Sequence, residues 1–248
     1  MPHAEPPWRW RALCLPKCGQ SREDCEDAWA ADPSAGRFAV ADGASESAFA
    51  PLWARLLTEA FVAAARPGDV AAWLEESRQR WWGEVGELAL PWYGEAKREE
   101  GAFATFLGLD LHPPATDRPG AWEAVAVGDT CLVQVRRRQV QAFPVSRAGD
   151  FNDRPALLAS RGGPPPAPAR CAGSFLDGDR LLLMTDALAQ WFLAEWEGGG
   201  QPWDELEPLA PAPEGLFAAW VAGLRSRGAM RDDDVTLLSI ELLPAEKG

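Results

Sequence analysis

Several apolar runs in this chain stop on an acidic residue. Phe38-Ala39-Val40-Ala41 leads into Asp42 and Gly43, Val125-Ala126-Val127-Gly128 into Asp129, and Leu181-Leu182-Leu183-Met184-Thr185 into Asp186. In the opposite sense, Glu26-Asp27 and Asp232-Asp233-Asp234 stand just before runs that read as strands. Short apolar runs bounded by turn residues are a signature of buried strands. A sheet holds its strand ends firmly, so such positions are rigid supports for side chains. Taken singly, each has a plain reading: Asp42-Gly43 as a turn, Asp186 as the N-cap of a helix, Asp232 as a cap or turn. Taken together, and with the strands in one sandwich, the carboxylates converge on a rim. Gathered carboxylates repel one another and take up protons unless a cation neutralises them. The simplest occupant is a hard divalent cation such as Mg²⁺ or Mn²⁺, which takes oxygen ligands.

At 248 residues, 47% of them apolar, the chain can bury a large core as one large domain or two small ones. A formal net charge of −13 argues against nucleic acid or an anionic membrane as partner and fits a protein that gathers cations. No apolar run approaches the ~20 residues of a membrane span. Met1 to Pro7 has no basic segment leading into an apolar one, so no secretory signal is expected and a cytoplasmic protein is the default. Five irregularly spaced cysteines read as free thiols of a reducing compartment. Cys14 and Cys18 lack a matching second pair, with only His3 and His112 to complete one, so no structural zinc is expected.

Trp8 to Leu13 alternates like a half-buried strand, and Arg37 to Ala41 reads as a buried one. Ser47 to Ala65 has helical spacing at Phe49, Leu52, Trp53, Leu56, Leu57, Ala60 and Phe61, ended by Pro67-Gly68. Asp69 is set to cap a second helix carrying Val70, Trp73, Leu74, Trp81 and Trp82. These tryptophans read as core between helix and sheet, with ligand stacking as the lesser alternative. Strands are expected at 102–111, 121–127, 130–136, 139–145, 180–185 and 235–243, with helices at 187–197 and 213–227. Hairpin-like strands with helices inserted at a few places indicate an α+β fold of antiparallel sheets covered by helices.

Paired hard cations ~4 Å apart lower the pKa of a bridging water toward neutrality, and phosphate-ester hydrolysis depends on such positioning and charge neutralisation. Arg22, just upstream of Glu26, could grip a phosphate with paired hydrogen bonds, or be an ordinary surface ion pair. In sequence order, Arg22-x-x-x-Glu26-Asp27, Phe38-Ala39-Val40-Ala41-Asp42-Gly43, Gly101 to Thr105, Ala126-Val127-Gly128-Asp129-Thr130, Leu182-Leu183-Met184-Thr185-Asp186 and Asp233-Asp234-Val235-Thr236 form a series of blocks. With them the chain resembles the metal-dependent Ser/Thr protein phosphatases of the 2C type, the PPM family, especially their compact bacterial branch. The resemblance runs from about Cys14 to Leu243.

That resemblance implies a four-layer α/β/β/α sandwich: one catalytic domain, core about 9–243, with two central antiparallel sheets flanked by helices. It implies two Mg²⁺ or Mn²⁺ ions, and a weaker third, held by Glu26, Asp42, the Gly43 carbonyl, Asp186, Asp233 and Asp129. Asp42 would bridge two ions, Asp27 would orient ligands from behind, and Arg22 would bind phosphate. The implied reaction is hydrolysis of phosphoserine and phosphothreonine by direct attack of a metal-bridging hydroxide. The implied partners are phosphorylated proteins, substrates of a bacterial Ser/Thr kinase. The chain departs from the family pattern at Ala44, Thr130, Ala187 and Asp234; Asp234, in place of Asn, adds charge near the metals. Spacing to Thr236 favours Asp233 over Asp232 as ligand. Two alternatives stand beside this expectation: a phosphatase-like regulatory or binding module with little turnover, and a metal-dependent hydrolase of small phosphate esters. The segment from Phe143 to Cys171 is the expected substrate-selecting loop.

Overall fold

The structure is a computed structural model that describes residues 6–115, 118–209 and 214–243. His3, the first five residues generally, and the expected helix start at Pro213 lie outside these. The chain opens with β1 (Trp8–Leu15), β2 (Asp27–Asp32) and β3 (Arg37–Gly43), followed by α1 (Ala50–Ala63), α2 (Val70–Val85) and α3 (Trp92–Glu100). A meander follows: β4 (Phe103–His112), β5 (Gly120–Val127), β6 (Cys131–Arg136), β7 (Gln139–Phe143), β8 (Leu158–Ala159), β9 (Ala169–Phe175) and β10 (Arg180–Met184). It ends with α4 (Asp186–Glu197), α5 (Pro202–Leu206), α6 (Glu214–Ser226) and β11 (Val235–Leu242). One sheet has the order β1-β11-β10-β6-β7; the other is β2-β3-β4-β5-β9, with β8 added alongside β4. Every pairing is antiparallel.

The period-2 alternation of the strands dictates the layers. In β3, Phe38 and Val40 face the other sheet while Ala39 and Ala41 face α1 and α2. In β10, Leu181 and Leu183 point between the sheets and Leu182 and Met184 toward α4. Both faces of each sheet are therefore apolar and both are covered, giving helix, sheet, sheet, helix. This is the four-layer α+β sandwich expected from the sequence. The close seat of α1 depends on Gly108, where a Cβ would come within 2.4 Å of the Phe61 ring.

Two expectations need correction, and one helix went unread. Helix α3 was not expected because WYGEAKREE is short, rich in charge and poor in apolar residues. It is held partly by Arg98, which donates to the Leu88 carbonyl at 2.8 Å and the Val85 carbonyl at 3.3 Å. Thr185, not Asp186, occupies the N-cap position of α4, and Asp186 is the first helical residue. The Phe143–Cys171 segment is not one free loop. Within it, β8 pairs with β4, and Trp53 Nε1 donates to the Leu158 carbonyl at 2.9 Å. The tryptophans of α1 and α2 behave as core: Trp53, Trp73 and Trp81 are buried, while Trp82 lies at the surface under the Arg161 guanidinium.

Away from the acidic strand ends, Asp179 is buried in the turn before β10. It accepts from Gln134 Nε2 at 2.8 Å, Arg136 Nη2 at 2.7 Å and the Leu176 amide at 2.9 Å. Removing one partner of such a network strands the others without hydrogen bonds. Asp179→Ala should lower unfolding stability by about 3 kcal/mol in urea melts while leaving divalent-cation binding unchanged.

Candidate metal centre

The β2–β3 register sets Asp27 directly opposite Asp42, and the β3–β4 register sets Asp42 opposite Thr105. A tight turn holds that hairpin: the Asp32 carboxylate accepts from Ser34 Oγ at 2.6 Å and the Ala35 amide at 3.0 Å. The Gly43 amide donates to the Glu26 carbonyl at 3.1 Å, and a Cβ on Gly43 would lie 2.9 Å from that oxygen. Glycine is thus required where the chain before β2 crosses the end of β3. Gly128 has φ +93°, and a Cβ there would meet Thr105 Cγ2 at 2.6 Å. That close approach sets the bend carrying Asp129, and the neighbouring Thr130 hydroxyl meets that of Thr105 at 2.6 Å.

Two side chains stitch the sheets together at this edge. Thr185 Oγ1 donates to Asp27 Oδ2 at 2.9 Å and accepts from the Thr236 amide at 2.9 Å. Asp234, buried, accepts from the Lys17 amide and the Glu26 amide, each at 2.7 Å. Asp234 therefore works as a backbone clamp fixing the position of Glu26. Asp232 turns away, accepting from the Cys18 amide at 2.9 Å and pairing with Arg225 at 3.4 Å. Arg225 also donates to the Asp233 carbonyl. Within the triplet, Asp233 exerts the larger charge effect on Asp42 and Asp234 a smaller one in the same direction. Arg22 is exposed and opens the 3-10 turn Arg22–Asp24, with its positive charge felt by the Cys14 thiol. Cys14 and Cys25 place their sulfurs 3.2 Å apart beside Glu26.

Electrostatics follow from this gathering. Burial, then the neighbouring Asp233 and Asp129, push the Asp42 carboxyl up to about 8. Asp27 is raised well above the ordinary carboxylate range by burial first and Asp42 second, and Asp129 is raised by burial. Asp129 Oδ1 and Asp186 Oδ1 are buried with no hydrogen-bond donor among the described residues, and Asp27 Oδ1 is buried with only the Thr236 hydroxyl near enough to act on it. Orphaned carboxylate oxygens are what a hard cation would satisfy, so the donor set fits Mg²⁺ or Mn²⁺ in kind. As the side chains stand, no three His, Cys, Asp or Glu among the described residues converge enough to hold an ion.

What stands among the carboxylates is positive protein charge that sequence reading missed. Arg231 pairs with Asp186 and, through Nε at 3.5 Å, with Asp233. Lys17 Nζ lies 2.8 Å from Glu26 Oε2 and 3.1 Å from Ser45 Oγ, and the Ser45 hydroxyl donates to the same Glu26 oxygen. The available signals were modest: Lys17 is one of three lysines in the chain, and Arg231 is the basic residue abutting the Asp232–Asp234 run.

Carboxyls raised in the fold make stability depend on pH. From about pH 4 to about 8 the folded protein holds more protons than the unfolded chain, so stability falls as pH rises. In chelator, thermal melts at pH 8 should show lower stability than at pH 5.5, by on the order of a few kcal/mol. Asp42→Asn should flatten that slope. A pH-independent melting temperature in the wild type would contradict the assignment.

By sequence, the chain matches no protein-family model and no curated protein. By structure it has clear likenesses. PppA, a key regulatory component of T6SS in Pseudomonas aeruginosa, aligns with a TM-score of 0.61 at 19% identity, covering 94% of this chain and 97% of that one. The catalytic domain of the serine/threonine protein phosphatase PstP, in complex with two manganese ions, aligns with a TM-score of 0.59 at 18% identity over 96% and 99% of the chains. The PPM Ser-Thr phosphatase MsPP from Mycobacterium smegmatis, in complex with cacodylate, aligns with a TM-score of 0.58 at 16% identity over 94% and 98%. The fold is that of the PPM-type, 2C-like Ser/Thr phosphatases.

Proposed function

We propose that this PPM fold carries a Mg²⁺- or Mn²⁺-dependent phosphatase acting on phosphoserine and phosphothreonine in proteins, with the core from about 9 to 243 as one catalytic domain. The observation that carries the reading is the pair of buried, donorless carboxylate oxygens on Asp129 and Asp186, at the strand ends where the charges of Asp233 and Asp129 act on Asp42. Asp42, Glu26, the Gly43 carbonyl, Asp186 and Asp233 would hold two cations, and Asp129 with Asp186 a third. Bound divalent cations neutralise charge on the phosphoryl group and activate water for in-line attack.

The chain's own residues supply the positioning. Asp234 fixes Glu26 through its backbone amide, and Thr185 orients Asp27 behind the rim. Arg22, exposed in the turn ahead of β2, would bind the substrate phosphate. No histidine stands after Gly43, where Ala44 donates its amide to the Phe103 carbonyl at 2.8 Å. The leaving oxygen therefore takes its proton from solvent at the site and not from a side chain at that position.

A second reading, a phospho-recognition module with little turnover, is favoured by one observation: Lys17 and Arg231 already pair with rim carboxylates. Hydrolysis of a phosphothreonine peptide separates the two. With Mn²⁺ or Mg²⁺ the wild type should turn over, chelator should stop it, and Asp42→Ala and Asp233→Ala should each reduce it by about 10²-fold or more, the usual scale for losing one key electrostatic group. Tight phosphopeptide binding without turnover would establish the module instead. Equal hydrolysis of small phosphomonoesters and phosphopeptides would redirect the reading to a small-ester hydrolase.

A further inference from the structure

We propose that Arg231 is a tethered counter-cation of the carboxylate rim that transfers to the substrate phosphate when divalent cations bind, so that it both competes with metal and binds substrate. This rests on the phosphatase reading above and names a residue that reading does not use.

The guanidinium pairs with Asp186 and Asp233, and its charge is also felt by Asp42 and Asp129. These are four of the carboxylates given to the metals. A guanidinium carries only donors and has no lone pair, so it cannot itself ligate a cation, and like charge repels it from one. A single positive charge leaves oxygens of Asp129 and Asp186 unsatisfied, whereas divalent cations bring more charge to the same place. On this proposal the repulsion between bound metal and guanidinium drives the side chain off the carboxylates.

Displacement need not move the backbone. Arg225 grips the Asp233 carbonyl and the Asp232 carboxylate, and Asp234 is locked by the Lys17 and Glu26 amides. The Arg231 anchor point is thus held on a short segment, while its side chain, 37% exposed, has an open path to solvent. Once released, the guanidinium remains within a side chain's length of the rim, where a phosphate dianion is the available partner for its planar fork. Lys17 differs: its ammonium is a point charge shared between Glu26 and Ser45, with no fork to present.

The test measures Mn²⁺ affinity of metal-free protein and inorganic-phosphate affinity of Mn²⁺-loaded protein by titration calorimetry, in wild type, Arg231→Ala and Arg231→Lys. Arg231→Ala should bind Mn²⁺ about tenfold tighter and phosphate about tenfold more weakly, the scale of one charge-assisted hydrogen bond. Arg231→Lys keeps the charge, so its Mn²⁺ affinity should stay near wild type while its phosphate affinity falls between the other two. Unchanged or weaker Mn²⁺ binding in Arg231→Ala, or unchanged phosphate binding, would overturn the role while leaving the metallophosphatase reading intact. If none of the three proteins binds Mn²⁺, the metal reading falls and this role with it.

Discussion

Two sheets whose central strands are apolar on both faces must be covered on both faces, and the rest of the structure follows from that. The inner faces bury Phe38, Val40, Leu107, Leu109, Leu181, Leu183, Leu238 and Ile240 against one another. The outer faces take α1 and α2 on one side and α4 and α6 on the other. Burial at roughly 25 cal/mol per Å² of apolar surface is non-directional, so it fixes layers without fixing register. Register comes from antiparallel pairing, and register is what sets Asp27 opposite Asp42.

The sandwich creates the electrostatic problem at its edge. Rim positions stay partly inside the low-dielectric body while bearing carboxylates drawn from both sheets. Part of that charge is absorbed by backbone amides, as at Asp234, and by hydroxyls, as at Asp27. Part is met by Lys17 and Arg231. What remains unmet is concentrated on oxygens with no donor and on Asp42, whose carboxyl is held near neutrality of charge by its surroundings. The same raised carboxyls destabilise the fold as pH rises, and perturbed groups of this kind are common at functional sites.

Much of this was legible in the linear chain, for physical reasons specific to each element. Strands such as β10 and β11 could be read because an apolar run of that length between turn residues has few other uses. Helices α1 and α2 could be read because their apolar spacing follows the helical turn, with Asp69 capping α2 through the Ala72 amide at 3.3 Å. Helix α3 could not, since a short, charge-rich helix carries too few apolar residues to mark a buried face. The division of labour within Asp232-Asp233-Asp234 was only partly legible. Three adjacent carboxylates look alike in sequence, and only their surroundings make one a clamp on backbone, one an Arg225 partner and one a neighbour of Asp42.

The sequence by itself determined the α+β class, the sheet-forming runs, the acidic residues at their ends and the resemblance to a phosphatase fold. These are properties of local pattern, encoded within a few residues of each other. Tertiary structure alone decided which charges meet. Lys17 reaches Glu26 across a turn, Arg231 reaches Asp186 from a different part of the chain, and Asp234 clamps amides more than 200 residues away. No periodicity records such pairings, because they arise from where the packed sheets bring strand ends together and not from the order of residues along the chain.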